Sequence, residues 1–284
     1  MITLGADPEF FLYDQDYGNY GAVKPCVGII PGTKESPHDL GDGYGVHEDN
    51  VMVELMVPPT STIGSFASSI EIGKAAIQSA CLTDKQVLQC YSAWEFYTRE
   101  LNTKQAKTFG CEPDFDAYTS GKMRRVPRKL HNSNWRSAGG HVHLGGDFNC
   151  PNFVGALLAD VFITLYSHLD TGNSTPTGSH GFTERTKWYG QPGIYRDTAY
   201  GFEYRTPNNL WCQDYLSSEI MGDRCMRLCY YLENNSATQI REAIRQINWL
   251  AIQELLSGIN RTKAQTDIDE MYAIFDEVRN VLPV

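Results

Sequence analysis

The chain has 284 residues, of which 42% are hydrophobic and 20% charged, a composition that excludes a disordered, collagen-like or coiled-coil protein. No apolar run approaches ~18 residues, and the N-terminal sequence lacks the basic and apolar segments of a signal peptide. We therefore expect a soluble protein that is not exported. The 24 basic and 34 acidic residues give a net charge of −10, which argues against nucleic acid or an anionic membrane as the main partner.

One basic cluster interrupts this acidic balance. It consists of Lys122, Arg124, Arg125, Arg128 and Lys129. Such a cluster is typical of a solvated loop, although it could also steer an anionic ligand such as a nucleotide. The eight cysteines form no C-x-x-C pair, so neither a zinc ribbon nor a redox motif is indicated, and reduced thiols are expected.

Hydrophobic patterning predicts strands first and helices afterwards. The predicted strands are Glu9–Asp14, Val51–Val57, Gly140–Leu144 and Gly201–Thr206, with a further candidate within Val87–Thr98. The predicted helices are Ser65–Cys81, Asn152–Leu169, Tyr215–Glu233, Ile240–Leu256 and Ile268–Val281. This order favours an α+β fold with helices packed on one face of a mainly antiparallel sheet. Because no linker or repeat is evident, residues 1–284 should form a single catalytic domain that is helical from about residue 213.

The first strand begins with the sequence GADPEFFL. Residues two apart in a strand point to the same face, so Asp7 and Glu9 should form a carboxylate pair ~7 Å apart at the backbone. Taken alone, such a pair is usual at a solvated strand start. The three segments that follow support a functional interpretation of this pair.

The second segment, HEDNVMVELMVPP, places Glu54 between Val53 and Leu55 in an apolar strand. A carboxylate is costly to bury there unless it is paired or binds a cation. Glu48 would lie ~20 Å away from Glu54 in an unbroken strand. A turn at Asp49–Asn50 would bring the two acids together.

The third segment is GGHVHLGG. His141 and His143 share a strand face, and the flanking glycines allow a backbone or a ligand to approach closely. Imidazole favours ions such as Zn, Mn, Fe or Cu, so the pattern indicates a metal site. One core histidine and one solvated histidine would give the same pattern.

The fourth segment is YGFEYRTP, in which Glu203 and Arg205 share a face. The two residues could form only an internal ion pair. Alternatively, Glu203 could bind a metal while Arg205 clamps a phosphate or carboxylate. Four such strands in one chain are hard to explain by packing alone.

These four segments, in this order, resemble the catalytic domain of the glutamine synthetase and glutamate–cysteine ligase superfamily. The chain is most similar to the phage-encoded carboxylate–amine ligases, or amidoligases, over residues 2 to 230 approximately. The resemblance implies a glutamine-synthetase-like domain and work in the cytoplasm of an infected bacterium. It also implies two metal sites, one formed by Asp7, His141 and Glu203 and the other by Glu9, Glu48 and Glu54.

The same resemblance implies ATP and two Mg²⁺ or Mn²⁺ ions as cofactors. ATP would phosphorylate a substrate carboxylate, and an amine would then attack the acyl phosphate. Arg205, Arg196 and Glu54 are the candidate catalytic residues, while His143 and Arg196 would contact the nucleotide. Residues 184–196 resemble the substrate-binding loop of the superfamily, so Arg185 and Tyr189 are expected to bind substrate together with Arg205. Loop arginines that are merely exposed remain the alternative.

The chain also departs from the glutamine synthetase pattern. Those enzymes have an arginine two residues before the final glutamate, where this chain has Gly201. The small N-terminal domain that completes their ammonia site is expected to be missing, because the acidic strand starts at residue 5. An amine larger than ammonia, such as an amino acid, polyamine or modified nucleobase, is therefore expected.

Two other functions fit parts of the pattern. A zinc hydrolase could use His141, His143 and Glu203 around one ion, with a carboxylate as general base, but the other acids would then be surplus. A non-catalytic relative could keep the fold as a ligand-binding module. That reading would be favoured by lost metal ligands, and none is lost in this sequence.

Overall fold

The computed structural model describes residues 1–107, 114–124, 133–165, 185, 189–257, 272–274 and 276–283. Over these residues the chain has an α+β fold with a mostly antiparallel sheet, which confirms the predicted class. None of the helices in the described part is long and apolar enough to cross a membrane.

The strands form one large sheet and a small two-stranded one. They are β1 Thr3–Asp14, β2 Ala22–Lys24, β3 Gly32–Thr33, β4 Ser36–Gly41, β5 Tyr44–Asp49, β6 Met52–Thr60, β7 Gln86–Gln89, β8 Ala93–Glu95, β9 Asp114–Asp116, β10 Lys122–Arg124, β11 Trp135–Ser137, β12 Gly140–Gly145, β13 Ile194–Thr198 and β14 Gly201–Tyr204. The large sheet has the order β10-β9-β13-β14-β12-β1-β6-β5-β4-β3, with β2 and β7 paired to the second half of β1. β8 and β11 pair with each other.

The helices lie between and after these strands. They are α1 Ile63–Cys81, α2 Lys104–Lys107, α3 Asn152–Ala159, α4 Tyr215–Asn234, α5 Ala237–Arg245 and α6 Trp249–Ser257. A π-helical turn, Asp160–Thr164, continues α3. Short 3₁₀ helices occur at Thr98–Leu101, Ala117–Thr119 and Asn209–Cys212.

Strand β1 separates two environments by its alternation of side chains. Leu4, Ala6 and Phe10 enter the main hydrophobic core, into which α1, α3 and α4 also pack. Asp7 and Glu9 point to the opposite face. That face ends at a second apolar cluster around Phe11, Phe96 and Leu101. The charged side chains therefore project from the sheet face opposite the main core, and the second apolar cluster borders them at one end of that face.

Most predicted elements are confirmed with shifted ends. β1 begins at Thr3, which places Asp7 and Glu9 inside a strand rather than at its start. The candidate strand Val87–Thr98 is two short strands, β7 and β8, and the predicted helix Ile240–Leu256 is two helices, α5 and α6. The predicted helix Asn152–Leu169 changes to π geometry at residue 160, and its last residues lie outside the described part.

Three expectations fall partly outside the described residues. Within the predicted helix Ile268–Val281, residues 272–274 and 276–279 are helical. In the basic cluster, Lys122 and Arg124 belong to β10, whereas the other three basic residues are not described. Seven cysteines are free thiols, and Cys111 is not among the described residues.

Candidate active site

Cross-strand pairing gathers the four predicted segments into one row of charged side chains. Asp7 lies opposite His141, and Glu9 lies opposite Glu54. One strand further, His143 lies opposite Glu203. Residues directly opposite each other project from the same face of a sheet. The acids and histidines identified from the sequence therefore share one face across β6, β1, β12 and β14.

The row extends beyond these strands at both ends. Arg196 on β13 lies opposite Glu203, and His47 on β5 lies opposite Glu54. One end of the row thus carries guanidinium groups and the other carries carboxylates. This separation of charge suits a ligand that has both an anionic group and bound cations.

The first metal-ligand group consists of Asp7, His143 and Glu203, whose ligand atoms lie within 4.8 Å of one another. His143 Nε2 is 3.4 Å from Asp7 Oδ1. His141, which the resemblance implied as the ligand, places Nδ1 3.4 Å from Asp7 Oδ1 and 3.5 Å from Glu203 Oε1. The geometry therefore puts His143 in the three-residue group and His141 beside it.

These side chains fit a cation because several of their metal-ligating atoms lack hydrogen-bond partners. Asp7 Oδ1, His143 Nε2 and His141 Nε2 are buried and have no hydrogen-bond partner within the described ranges. Buried polar atoms are normally satisfied by a hydrogen bond, and exceptions mark a bound ion, a water or a catalytic role. A divalent ion would satisfy Asp7 Oδ1 and His143 Nε2 together, whereas His141 Nε2 faces Gly139 instead.

The second group consists of Glu9, Asp49 and Glu54, again with ligand atoms within 4.8 Å. Glu9 and Glu54 are 5% and 8% exposed. Glu48, which the resemblance implied as a ligand, is not part of this group. Its carboxylate accepts hydrogen bonds from the main-chain N–H of Gly28 and from Gln105 Nε2. The assignment of Glu48 is thus corrected in favour of Asp49.

A tight β5–β6 turn explains this correction. His47 pairs with Glu54 and Asp49 with Met52, so the turn consists of Asn50 and Val51. Asn50 has the left-handed conformation, with φ of 54°, and its Oδ1 accepts a hydrogen bond of 3.0 Å from Arg136 Nε. The fixed turn directs Asp49 to the face that carries Glu54.

Burial and mutual repulsion perturb the acids of both groups. Burial, together with the charge of Asp49, raises the pKa of Glu9 to about 8. Burial and the charges of Asp7, Asp49 and Glu9 raise the pKa of Glu54 well above its usual range. Burial also disfavours the charged form of Asp7, but the attraction of His143 and His141 prevails and holds its pKa well below its usual range. The second group therefore stores repulsion that a cation would relieve.

The cationic end of the row is built around two arginines. The Arg205 guanidinium donates to Glu203 and to the hydroxyl of Tyr189, and its Nε is 3.1 Å from Asp114 Oδ1. Arg196 Nε is 3.3 Å from the same oxygen of Asp114. Arg196 Nη2 has no hydrogen-bond partner in the described part of the chain, so it can donate to an anionic ligand.

Arg185 does not have the predicted role of substrate clamp. Its side chain is fully buried and donates to the main-chain carbonyls of Ala138, Thr206 and Pro207 at 2.8–2.9 Å. Gly190 lies so close to the guanidinium that any Cβ there would collide with it. Arg185 therefore holds the ends of two site strands in place, while Tyr189 in the same segment reaches the charged row through Arg205.

A buried acid supports the strands that carry the arginines. Asp160, in the π-helical turn, is completely buried and accepts hydrogen bonds from the hydroxyls of Tyr204 and Tyr118 and from the main-chain N–H of Gly193. Burial raises the pKa of Asp160 to about 7. This carboxylate connects the residues that precede Arg196 and Arg205, and π-helical turns are often found at functional sites.

A cleft of about 700 Å³ lies at the edge of the sheet where Tyr200 contacts His143 of the first group. It is lined by the ends of β12 and β14 and the turn before β14, including Phe148, Asn152 and Tyr200. The Tyr200 hydroxyl is 2.9 Å from His143 Nδ1. The volume is within the range of small-molecule sites, ~300–1,000 Å³.

The sequence pattern missed several of these residues. They are His47, Asp49, Asp114, Asp160 and Tyr200. Asp114 and Asp116 repeat the spacing of Asp7 and Glu9, which was a usable signal. The other positions depend on strand register and tertiary contacts that spacing alone does not supply.

No protein-family model matches the chain, and no curated protein matches it. The arrangement of side chains is therefore the basis on which a function can be proposed.

Proposed function

We propose that the protein is an ATP-dependent carboxylate–amine ligase of the phage amidoligase type, with a glutamine-synthetase-like catalytic domain. The observation that carries this proposal is the presence of two candidate metal groups side by side on one sheet face. Asp7 of the first group and Glu9 of the second are two residues apart on β1, ~7 Å along the strand. Two ions bound by neighbouring groups on one sheet face would suit phosphoryl transfer from ATP.

The donor atoms match Mg²⁺ or Mn²⁺. The second group offers only carboxylates, which hard cations prefer, and the first group adds one imidazole, which Mn²⁺ also accepts. The ions would neutralise charge on the transferred phosphoryl group and orient it.

The arginines at the other end of the row provide the remaining positive charge. Arg196 Nη2 has no hydrogen-bond partner among the described residues, and Arg205 is held by Glu203, Asp114 and Tyr189. A substrate carboxylate oxygen attacks the γ-phosphorus of ATP, and the bond from that phosphorus to the β–γ bridging oxygen breaks to release ADP. An amine then attacks the acyl carbon, and phosphate leaves as the amide forms. The two guanidinium groups stabilise the charge that develops in both steps.

The cleft beside His143 is a suitable place for the nucleoside of ATP. It has sufficient volume, it is lined by Phe148 and Tyr200, and Tyr200 contacts His143 of the first metal group. An ATP molecule seated there would direct its phosphates towards the charged row. The proposed setting is the cytoplasm of an infected bacterium, with an amine larger than ammonia as the acceptor.

The zinc hydrolase finds less support. Its expected ligand set of His141, His143 and Glu203 is not one of the groups whose atoms converge among the described residues. Arg205 Nη1 is 3.4 Å from His141 Nδ1, so a guanidinium occupies the space beside that imidazole. A hydrolase would also leave Glu9, Asp49 and Glu54 unexplained.

Product analysis tests the proposal directly. The protein is incubated with ATP, MgCl₂ and a bacterial metabolite extract, and nucleotides and new amides are measured by mass spectrometry. We expect ADP, phosphate and one new amide in equal amounts, with none formed by Glu203→Gln. An ¹⁸O label on the substrate carboxylate should appear in the phosphate. Formation of AMP and pyrophosphate would contradict the acyl-phosphate route.

A further inference from the structure

Tyr200 connects the cleft to the first metal group. It lies in the turn between β13 and β14, where it is 47% exposed and lines the cleft. Its ring stacks on the imidazole of His143, with ring centroids 6.1 Å apart and planes inclined by 24°. Its hydroxyl meets His143 Nδ1 at 2.9 Å, while His143 Nε2 faces Asp7. One side chain therefore touches both the cleft and a candidate metal ligand.

The roles of the two ring nitrogens of His143 depend on each other. An imidazole that gives the Nε2 lone pair to a metal carries its proton on Nδ1, and a hydrogen bond at the second nitrogen fixes this tautomer. Nδ1–H then donates to the oxygen of Tyr200. The O–H of Tyr200 is consequently turned away from His143 and can donate to a ligand in the cleft, which Tyr200 lines.

We propose that Tyr200 is a positioning residue that couples ligand binding in the cleft to metal binding by Asp7, His143 and Glu203. The inference rests on the proposed function, since it takes a nucleoside as the ligand of the cleft. A metal on His143 directs the Tyr200 O–H to the cleft, where it donates to a ribose or base acceptor. A nucleoside held by that O–H in turn favours the His143 tautomer that binds metal. Such coupling is reciprocal by thermodynamic linkage.

Adenosine separates this effect from direct contact between metal and phosphate, because it has no phosphate to bridge to the ion. The dissociation constant of adenosine is measured by NMR titration with and without saturating MnCl₂, for the full-length wild type and for Tyr200→Phe. The phenylalanine keeps the stacked ring and removes only the hydroxyl. Tyr230→Phe, a half-exposed position on α4, is the matched control.

We expect Mn²⁺ to tighten adenosine binding about threefold to tenfold in the wild type and in Tyr230→Phe, the effect of one hydrogen bond. In Tyr200→Phe this ratio should fall to near one, while adenosine affinity without metal stays within about twofold. Glu203→Gln should also abolish the ratio because it disrupts the first group, whereas Glu54→Gln should keep it. A variant that is merely destabilised would not change the ratio in this selective way.

Three results would overturn the inference. These are an unchanged ratio in Tyr200→Phe, a ratio of one in the wild type, and an absence of adenosine binding with Mn²⁺ present. None of them would contradict the ligase itself, which is tested by ATP-dependent amide formation. Conversely, coupling in the wild type without any ATP turnover would support the role of Tyr200 and count against the proposed reaction.

Discussion

Asp7 lies directly opposite His141, and its Oδ1 is 3.4 Å from both His141 Nδ1 and His143 Nε2. The carboxylate thus contacts two imidazoles on one strand. Its charge is favoured by both, unlike the charges of Glu9 and Glu54, which lie next to other acids. The two candidate metal groups therefore differ in character although β1 contributes to each.

This difference predicts that the two ions can be removed one at a time. We expect the wild type to bind two Mn²⁺ ions, and Asp7→Asn or Glu54→Gln to bind one each, because each change removes an anionic ligand from a different group. Isothermal titration calorimetry or electron paramagnetic resonance gives the number of ions. Glu48→Gln is the matched control and should keep both. Two ions bound by either single variant would contradict the assignment.

A second prediction concerns stability without metal. Glu54→Gln should raise the free energy of unfolding in EDTA by about 1 kcal/mol, because a neutral amide removes one of the two buried carboxylates in a crowded group of three. The same variant should lose most of the thermal shift that the wild type shows with MnCl₂. Urea unfolding with and without the ion measures both effects. A destabilised apo form would show that the group is held together by other contacts.

The contrast between Glu48 and Asp49 shows what a predicted turn specifies and what it leaves open. An apolar strand interrupted by Glu54 was readable from the sequence, and so was a turn before it. A turn centred on Asp49–Asn50 differs by only one residue from the observed turn at Asn50–Val51. A two-residue turn at either place pairs odd-numbered residues of β5 with even-numbered residues of β6, so Asp49, and not Glu48, shares the face of Glu54 in both cases. The face of Asp49 was therefore predictable from a two-residue turn, whereas the exact position of the turn depends on contacts such as Asn50 with Arg136.

Arg185 illustrates a different limit. Its position in residues 184–196, which resemble a substrate-binding loop, predicted that it binds substrate, yet its donors are used by carbonyls of residues 138, 206 and 207, far from it in the chain. Such main-chain partners cannot be predicted from the residues around Arg185. The opposite case is His141 and His143, whose shared face follows from strand alternation and was predictable from spacing.

The third prediction compares Arg185 with Arg205. Arg185→Lys should lower the free energy of unfolding by on the order of 2 kcal/mol or more, because a single ammonium cannot reach three separate carbonyls. Arg205→Lys should lower kcat of the proposed ligase, because Arg205 lies beside Glu203 at the metal group. Chemical denaturation and steady-state kinetics separate the two effects. A raised KM with unchanged stability in Arg185→Lys would restore it as a substrate clamp.

The last prediction concerns pH and Asp160. Its pKa is about 7 in the folded protein, whereas an unfolded aspartate has its usual value of 3.8. Between these values the folded state binds more protons, so the contribution of Asp160 to stability decreases as pH rises from about 4 to about 7 and is constant above that. In Asp160→Asn this titration is absent. The free energy of unfolding of the wild type, minus that of Asp160→Asn, should thus fall by about 3 kcal/mol between pH 5 and pH 8. Urea unfolding of both proteins over this range measures the difference, and parallel pH profiles would show that hydrogen bonds from Tyr118, Tyr204 and Gly193 keep the carboxylate ionised throughout.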